Sequence, residues 1–152
     1  MKPLFYEVER YIDLLYVIGI RGIVFVDEQG CTFSEEYDEF DSIENNMATH
    51  IIGKVSDNPI AAGRIVYNKN KVAKLERISV LKKYRRICVG SKLVKYMVNV
   101  ALNKQSTSIY IHAQEHLIPY YQNLGFITSG EVFQEARISH IMMIYRNSLK
   151  VA

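Results

Sequence analysis

KLERISVL, residues Lys74–Leu81, runs into YRRICVGS, residues Tyr84–Ser91, and then into SKLVKYMVNVALN, residues Ser91–Asn103. The first stretch reads as a strand. The last places Leu93, Met97, Val100 and Ala101 on one apolar helical face. A helix start offers unpaired N–H groups and a partial positive charge, and a turn feeding it can wrap its amides around phosphate oxygens. Arg85 and Arg86 add full charges at this point, and Gly90 lets the backbone approach closely. The strand, basic turn and helix therefore read as a holder for a phosphorylated ligand.

The rest of the fold follows outward from this unit. Downstream, Ser108–Ala113 reads as a strand reached by a helical crossover, hence parallel to its predecessor. Leu117–Leu124 is a short helix with Pro119 in its first turn and Gly125 at its end. Phe126 opens a strand, and Glu131–Gln134 and Ser139–Tyr145 read as closing strands. Upstream, Ala48–Val55, Ile60–Tyr67 and Val72–Leu81 form an antiparallel meander with polar turns at residues 56–59 and 68–71. Residues 7–26 have helical spacing (Val8, Tyr11, Ile12, Leu15, Ile18, Phe25), with Gly19 and Gly22 as a point of breakage. Residues 27–46 are polar and acidic and read as a long loop with a helical turn. The expectation is an α+β domain with a mixed, mostly antiparallel sheet and flanking helices.

The chain has 152 residues, 49% hydrophobic and 23% charged, which suits one domain over residues 1–152. A net charge of +3 is too mild to carry nucleic-acid binding, even with Tyr84 and Tyr96 interleaved in the basic run Lys82–Lys95. The charges are nonetheless segregated. Lys82, Lys83, Arg85, Arg86, Lys92 and Lys95 crowd one segment, and Glu35, Glu36, Asp38, Glu39, Asp41 and Glu44 another. That pattern suits an anionic ligand in one place and a cationic group, or simply a solvated loop, in the other. Cys31 and Cys88 form no metal-ligand pattern. The first apolar run, Leu14–Val26, is broken by Arg21 and too short to span a bilayer, and no secretory signal precedes it. A cytoplasmic protein without membrane or metal partners is expected.

Two local patterns in this layout resemble the GNAT (Gcn5-related N-acetyltransferase) superfamily. YRRICVGSKL, residues 84–93, is similar to that family's pyrophosphate loop, Arg/Gln-x-x-Gly-x-Gly/Ala, with Arg85 and Gly90 at its ends and Cys88 in place of the middle glycine. PYYQNLGF, residues 119–126, resembles the family's Tyr-x-x-x-Gly-Phe signature, with Tyr121 on the tyrosine. RGIVFVDEQGC (21–31), HAQEHLIPYYQNLGF (112–126) and VFQEARISHIMM (132–143) resemble the ElaA/YjcF-like branch.

The resemblance implies acyl transfer from acetyl-CoA to a small-molecule or peptide amine by direct attack, with a homodimer as a possible assembly. The amine must lose a proton, the oxyanion needs a donor, and the departing thiolate needs a proton or electrostatic support. By resemblance, the free edge Ile78, Ser79 and Val80 pairs with pantetheine, and the Val80 N–H is the oxyanion donor. The amides of Arg85, Arg86, Ile87, Cys88, Val89, Gly90 and Ser91 meet the pyrophosphate. Tyr121 serves both cofactor binding and protonation of the thiolate. A phenol, with an ordinary pKa near 10, keeps its proton at neutral pH. For the base, the candidates are Glu76 on the strand, Glu28 after the first helix, the imidazoles of His50 and His112, and water. Arg77 alternates with Glu76, so the two side chains are expected on opposite faces. The alternative reading keeps the fold and coenzyme A binding but makes the protein a non-catalytic sensor.

Overall fold

The adjacent pair Ile51-Ile52 in Ala48–Val55, and the runs Ile60-Ala61-Ala62 and Ile65-Val66 in Ile60–Tyr67, put apolar side chains on successive positions, so a sheet built from them must be covered on both faces. The structure, a computed structural model, describes residues 2–146. Its strands are β1 (Leu4–Glu7), β2 (Ala48–Val55), β3 (Asn58–Tyr67), β4 (Val72–Val80), β5 (Ser108–Gln114), β6 (Phe126–Glu135) and β7 (Ile138–Tyr145). Its helices are α1 (Tyr11–Arg21, continued by a π-helical turn Gly22–Glu28), α2 (Phe33–Glu36), α3 (Val89–Asn103) and α4 (Ile118–Asn123). The strands form one sheet in the order β1-β2-β3-β4-β5-β7-β6. Every neighbouring pair is antiparallel except β4 and β5. This is the mixed α+β architecture that the sequence implies.

On one face, Leu93, Met97 and Ala101 of α3 pack against Ile51, Ile65, Leu75 and Ile111 of the sheet. On the other, Val17 and Ile20 of α1 meet Ile52 and Ala62. Burying each such aliphatic side chain contributes about 1.5–3 kcal/mol. No helix among the described residues is long and apolar enough to cross a membrane.

Three local expectations change. The helix expected from residue 7 starts only at Tyr11, and Glu7 instead ends an edge strand, Leu4–Glu7, paired with Ile51–Lys54 of β2. The helix beginning at Tyr11 does not break at Gly19 or Gly22; it widens at Gly22 into the π-helical turn. The cause is the Tyr37 hydroxyl, which donates to the Ile18 carbonyl at 2.9 Å and lies 2.9 Å from where a Gly22 Cβ would stand. Downstream, Phe126 and Glu131–Gln134 belong to one strand, β6, with an irregularity between Ser129 and Phe133.

Candidate active site

β4 and β5 are paired only through Val72–Leu75 against Ser108–Ile111, although β4 continues to Val80 and β5 to Gln114. Beyond Leu75 the two strands part, and a cleft of about 790 Å³ opens between them. Leu75, Glu76, Arg77 and Ile78 line one wall, and Ile111, His112, Gln114 and Tyr121 the other. On its far side β4 stays bonded to β3, with Leu81 N–H on the Ile60 carbonyl at 2.9 Å. The ladder alternation then turns the N–H and C=O of Val80 away from β3, toward the gap.

A bulge shapes the β4 wall. Ala62 faces Ser79 and Arg64 faces Glu76, so Gly63 alone opposes both Arg77 and Ile78. Arg77 takes a positive φ of 53° there, which undoes the expected alternation. Arg77 and Glu76 both line the cleft and are joined, Nη1 to Oε2, at 2.9 Å. The same Glu76 oxygen accepts from Arg64 Nη2 at 2.7 Å, and Oε1 has no partner among the described residues. Ser79 is buried, its hydroxyl 3.4 Å from the carbonyls of Ala62 and Arg77.

Arg64 also reaches Asp38 at 2.6 Å and Asp41 at 2.9 Å, while Arg21 binds Asp41 at 2.6 Å and the Glu36 carbonyl at 2.9 Å. Arg77 Nε lies 3.0 Å from Glu36 Oε1. Arg21 and Arg64 are fully buried. The acidic segment therefore divides: Glu36, Asp38 and Asp41 turn inward and neutralise three arginines, while Glu35, Glu39 and Glu44 stay exposed, Glu35 pairing with Arg137 and Glu44 accepting from Tyr11. Burial pushes the Glu36 carboxyl up against the pull of Arg77 and Arg21. Burial also opposes ionisation of Asp38 and Asp41, but hydrogen bonds and charge from Arg64 and Arg21 outweigh it and hold both below the usual carboxylate range. The signal in the sequence was an arginine inside each apolar segment, Arg21 and Arg64, which demands buried carboxylates. His50 is buried behind this network with Nε2 2.8 Å from the Phe40 carbonyl, and burial lowers its pKa.

Ile78 and Arg85 line the cleft with Tyr121, while Arg86, Ile87 and Cys88 are exposed at its mouth. Val89 places its side chain in the core, so its backbone is what it offers to a ligand. The first helical bond of α3 is Lys92 N–H to the Cys88 carbonyl at 3.1 Å, which leaves the N–H groups of Val89, Gly90 and Ser91 ahead of the ladder. A Cβ on Gly90 would stand 2.9 Å from the Tyr120 hydroxyl, to which Ser91 Oγ also approaches at 3.4 Å. A side chain at position 90 would therefore have to displace the Tyr120 hydroxyl, whatever ligand is bound. Arg85 donates from Nε to the Val80 carbonyl at 2.8 Å and from Nη2 to Glu28 at 2.7 Å. Glu28 consequently sits outside the cleft lining, strapped to the loop.

Tyr121 is buried edge-on between Tyr120 and Phe126, with ring centroids at 5.1 and 5.9 Å. Its hydroxyl has no hydrogen-bond partner among the described residues, and burial, then Tyr120, push its pKa far above the ordinary phenol value. Farther along the same cleft, His112 Nδ1 lies 3.1 Å from Glu135 Oε1, and buried His140 lies with Nε2 3.7 Å from Glu135 Oε2. Arg137, at the tip of the β6–β7 hairpin, closes this end by bonding Glu35 at 2.9 Å and the Gly30 carbonyl at 3.3 Å. Glu135 and His140 were missed in the sequence, where Glu135 fell between the two closing strands and His140 read only as a strand residue.

The split between β4 and β5 fits coenzyme A on three counts. Backbone groups face an open gap, three unladdered amides sit at a helix mouth, and the cations of Lys82, Lys83, Arg85 and Arg86 surround it. Residues 24–146 match the family model described as "Acetyltransferase (GNAT) domain". The uncharacterized N-acetyltransferase YjcF of Bacillus subtilis (strain 168) is 34% identical over 137 residues, covering 90% of this chain and 92% of that protein. Protein ElaA of Escherichia coli (strain K12) is 31% identical over 139 residues, covering 89% of each. The crystal structure of Escherichia coli ElaA superposes with a TM-score of 0.85 at 26% identity, covering 95% of this chain and 100% of that one. The chain therefore belongs to the GNAT acetyltransferase family, in the branch that holds ElaA and YjcF.

Proposed function

We propose that this chain transfers an acyl group, acetyl being the simplest, from a coenzyme A thioester to a primary amine of a small molecule or peptide. The observation that carries the reading is the opening of β4 from β5 directly beside the amide-bearing start of α3, with the Tyr121 hydroxyl in the same cleft. When bound, coenzyme A supplies the acyl group activated as a thioester. The amides of Val89, Gly90 and Ser91, with Arg85 and Arg86 beside them, would hold the pyrophosphate. The edge Ile78–Val80 would hold the pantetheine, and the Val80 N–H faces the gap where a developing oxyanion needs a donor. Tyr121 keeps its proton far into alkaline solution and has no protein partner among the described residues, so it is free to give that proton to a leaving thiolate.

Glu76 presents a carboxylate to the cleft and would draw in the acceptor's ammonium. Glu28, committed to Arg85, would act through the position of the loop rather than on the acceptor. The two unpaired cysteines, Cys31 and Cys88, suit a reducing, cytoplasmic setting.

Calorimetry with acetyl-CoA, followed by turnover of a primary-amine panel by the native chain and by Tyr121→Phe, tests the proposal. The expected result is that the variant still binds acetyl-CoA, with kcat lowered about 100-fold. Absence of acetyl-CoA binding at millimolar concentration would sink the reading. Binding without any turnover would favour the sensor, for which the engagement of Arg85 by Val80 and Glu28 is the supporting observation.

A further inference from the structure

Of the side chains in the cleft that can accept a proton, Glu76 already receives two guanidinium hydrogen bonds on one oxygen. His112 stands differently. It projects from β5 on the wall opposite Glu76, in the same cavity as Tyr121. Its Nδ1 meets Glu135 Oε1 at 3.1 Å. A carboxylate oxygen can only accept, so Nδ1 carries the hydrogen and the neutral ring leaves Nε2 as a bare acceptor, turned away from Glu135. Nε2 has no hydrogen-bond partner among the described residues.

The second oxygen of Glu135 lies 3.7 Å from Nε2 of His140, beyond hydrogen-bond reach, and His140 is itself held by Nδ1–H donating to the Ile138 carbonyl at 2.7 Å. Phe133 packs edge-on against His112 at 4.9 Å and lies stacked on His140 at 6.0 Å. Base, orienting carboxylate and supporting ring come from β5, β6 and β7, and Lys74 on β4 also faces the carboxylate. The fold does not need this pair. The Glu135 side chain is 45% exposed and that of His112 23% exposed, a setting in which an ion pair contributes little stability.

We propose that His112 is the general base that deprotonates the acceptor amine, with Glu135 as its positioning residue; this rests on the N-acyltransferase reading above. The ammonium nitrogen must shed two protons. One passes to His112 Nε2, breaking an N–H bond and freeing the lone pair that forms the new C–N bond, and is then released to solvent. The C–S bond breaks with its electron pair on sulfur, which takes the Tyr121 proton. The second nitrogen proton replaces it on the phenol.

The test joins turnover to a spectroscopic readout. With acetyl-CoA and a panel of benzylamine, spermidine and a lysine tripeptide, His112→Asn is expected to lower kcat about 100-fold with the acetyl-CoA KM unchanged. Glu135→Leu is expected to lower kcat about tenfold. Nitrogen-correlated NMR of the imidazoles should show His112 of the native chain as the Nδ1–H tautomer, and a tautomer mixture in Glu135→Leu. A native chain that acetylates the panel while His112→Asn stays within about threefold of it overturns this inference and leaves the function standing. A native chain that acetylates none of the panel counts against the function. Even then the spectrum decides the positioning of His112 by Glu135, since an Nε2–H tautomer in the native chain overturns it and an Nδ1–H tautomer supports it.

Discussion

Cys88 precedes α3 with φ 64° and ψ 15°, a left-handed conformation that costs an L-residue about 1–2 kcal/mol. The GNAT loop carries a glycine at this position, and the backbone here still adopts the geometry that glycine serves. The thiol is exposed and makes no hydrogen bond as a helix cap, so little is lost by removing it. Cys88→Gly should therefore raise stability by about 1 kcal/mol, read as a higher midpoint in urea denaturation. An unchanged or lower midpoint would show that the side chain has a use at the loop. At this same scale the place of Tyr121 in the cleft lining could be anticipated because PYYQNLGF contains it, whereas that of Glu135 and His140 could not. A single glutamate between the closing strands and a histidine on the last one look like solvated positions until the hairpin brings them to His112.

The bulge of β4 and the acidic segment after α2 form one electrostatic element. Removing a single partner from a buried set leaves charges without compensation, so Arg64→Met should destabilise by about 3–5 kcal/mol. Asp38 and Asp41, depressed in the folded state, add stability above their unfolded values and lose it as pH falls through the folded ones. Glu36, raised by burial, works the other way and opposes folding at neutral pH until it is protonated. The two aspartates outnumber it, so net stability should fall below about pH 4 in urea titrations, and more weakly in Arg64→Met.

The β6–β7 hairpin tip is a separate case. Arg137 and Glu35 meet at the surface, and Arg137→Ala should leave the denaturation midpoint in place. It should raise the amine KM and spare the acetyl-CoA KM, because it loosens only the end of the cleft beyond His112. A rise in both constants would count against that placement.

Across the whole molecule the antiparallel meander, the parallel step and the crossover helix were legible in turn residues, strand patterning and helical spacing. The losses share a cause. β1 is too short and exposed for alternation to mark it, and its pairing with β2 is set across the chain rather than locally. The fate of the acidic segment depended on arginines far away in sequence, and the orientation of Arg77 on a bulge opposite Gly63. Periodicity reports faces within an element; it is silent on ion pairs between elements.

The short seam between the two halves of the sheet has a mechanical consequence. Only the rungs from Val72 to Leu75 join them, so α3 and its packing carry the remaining coupling. Deuterium uptake should reveal this directly. The Val80 amide, facing the gap, should exchange rapidly in the free protein while its neighbours on the β3 side stay protected, and should slow once a thioester is seated. Protection of that amide before any ligand is added would mean that the halves are already zipped together in solution.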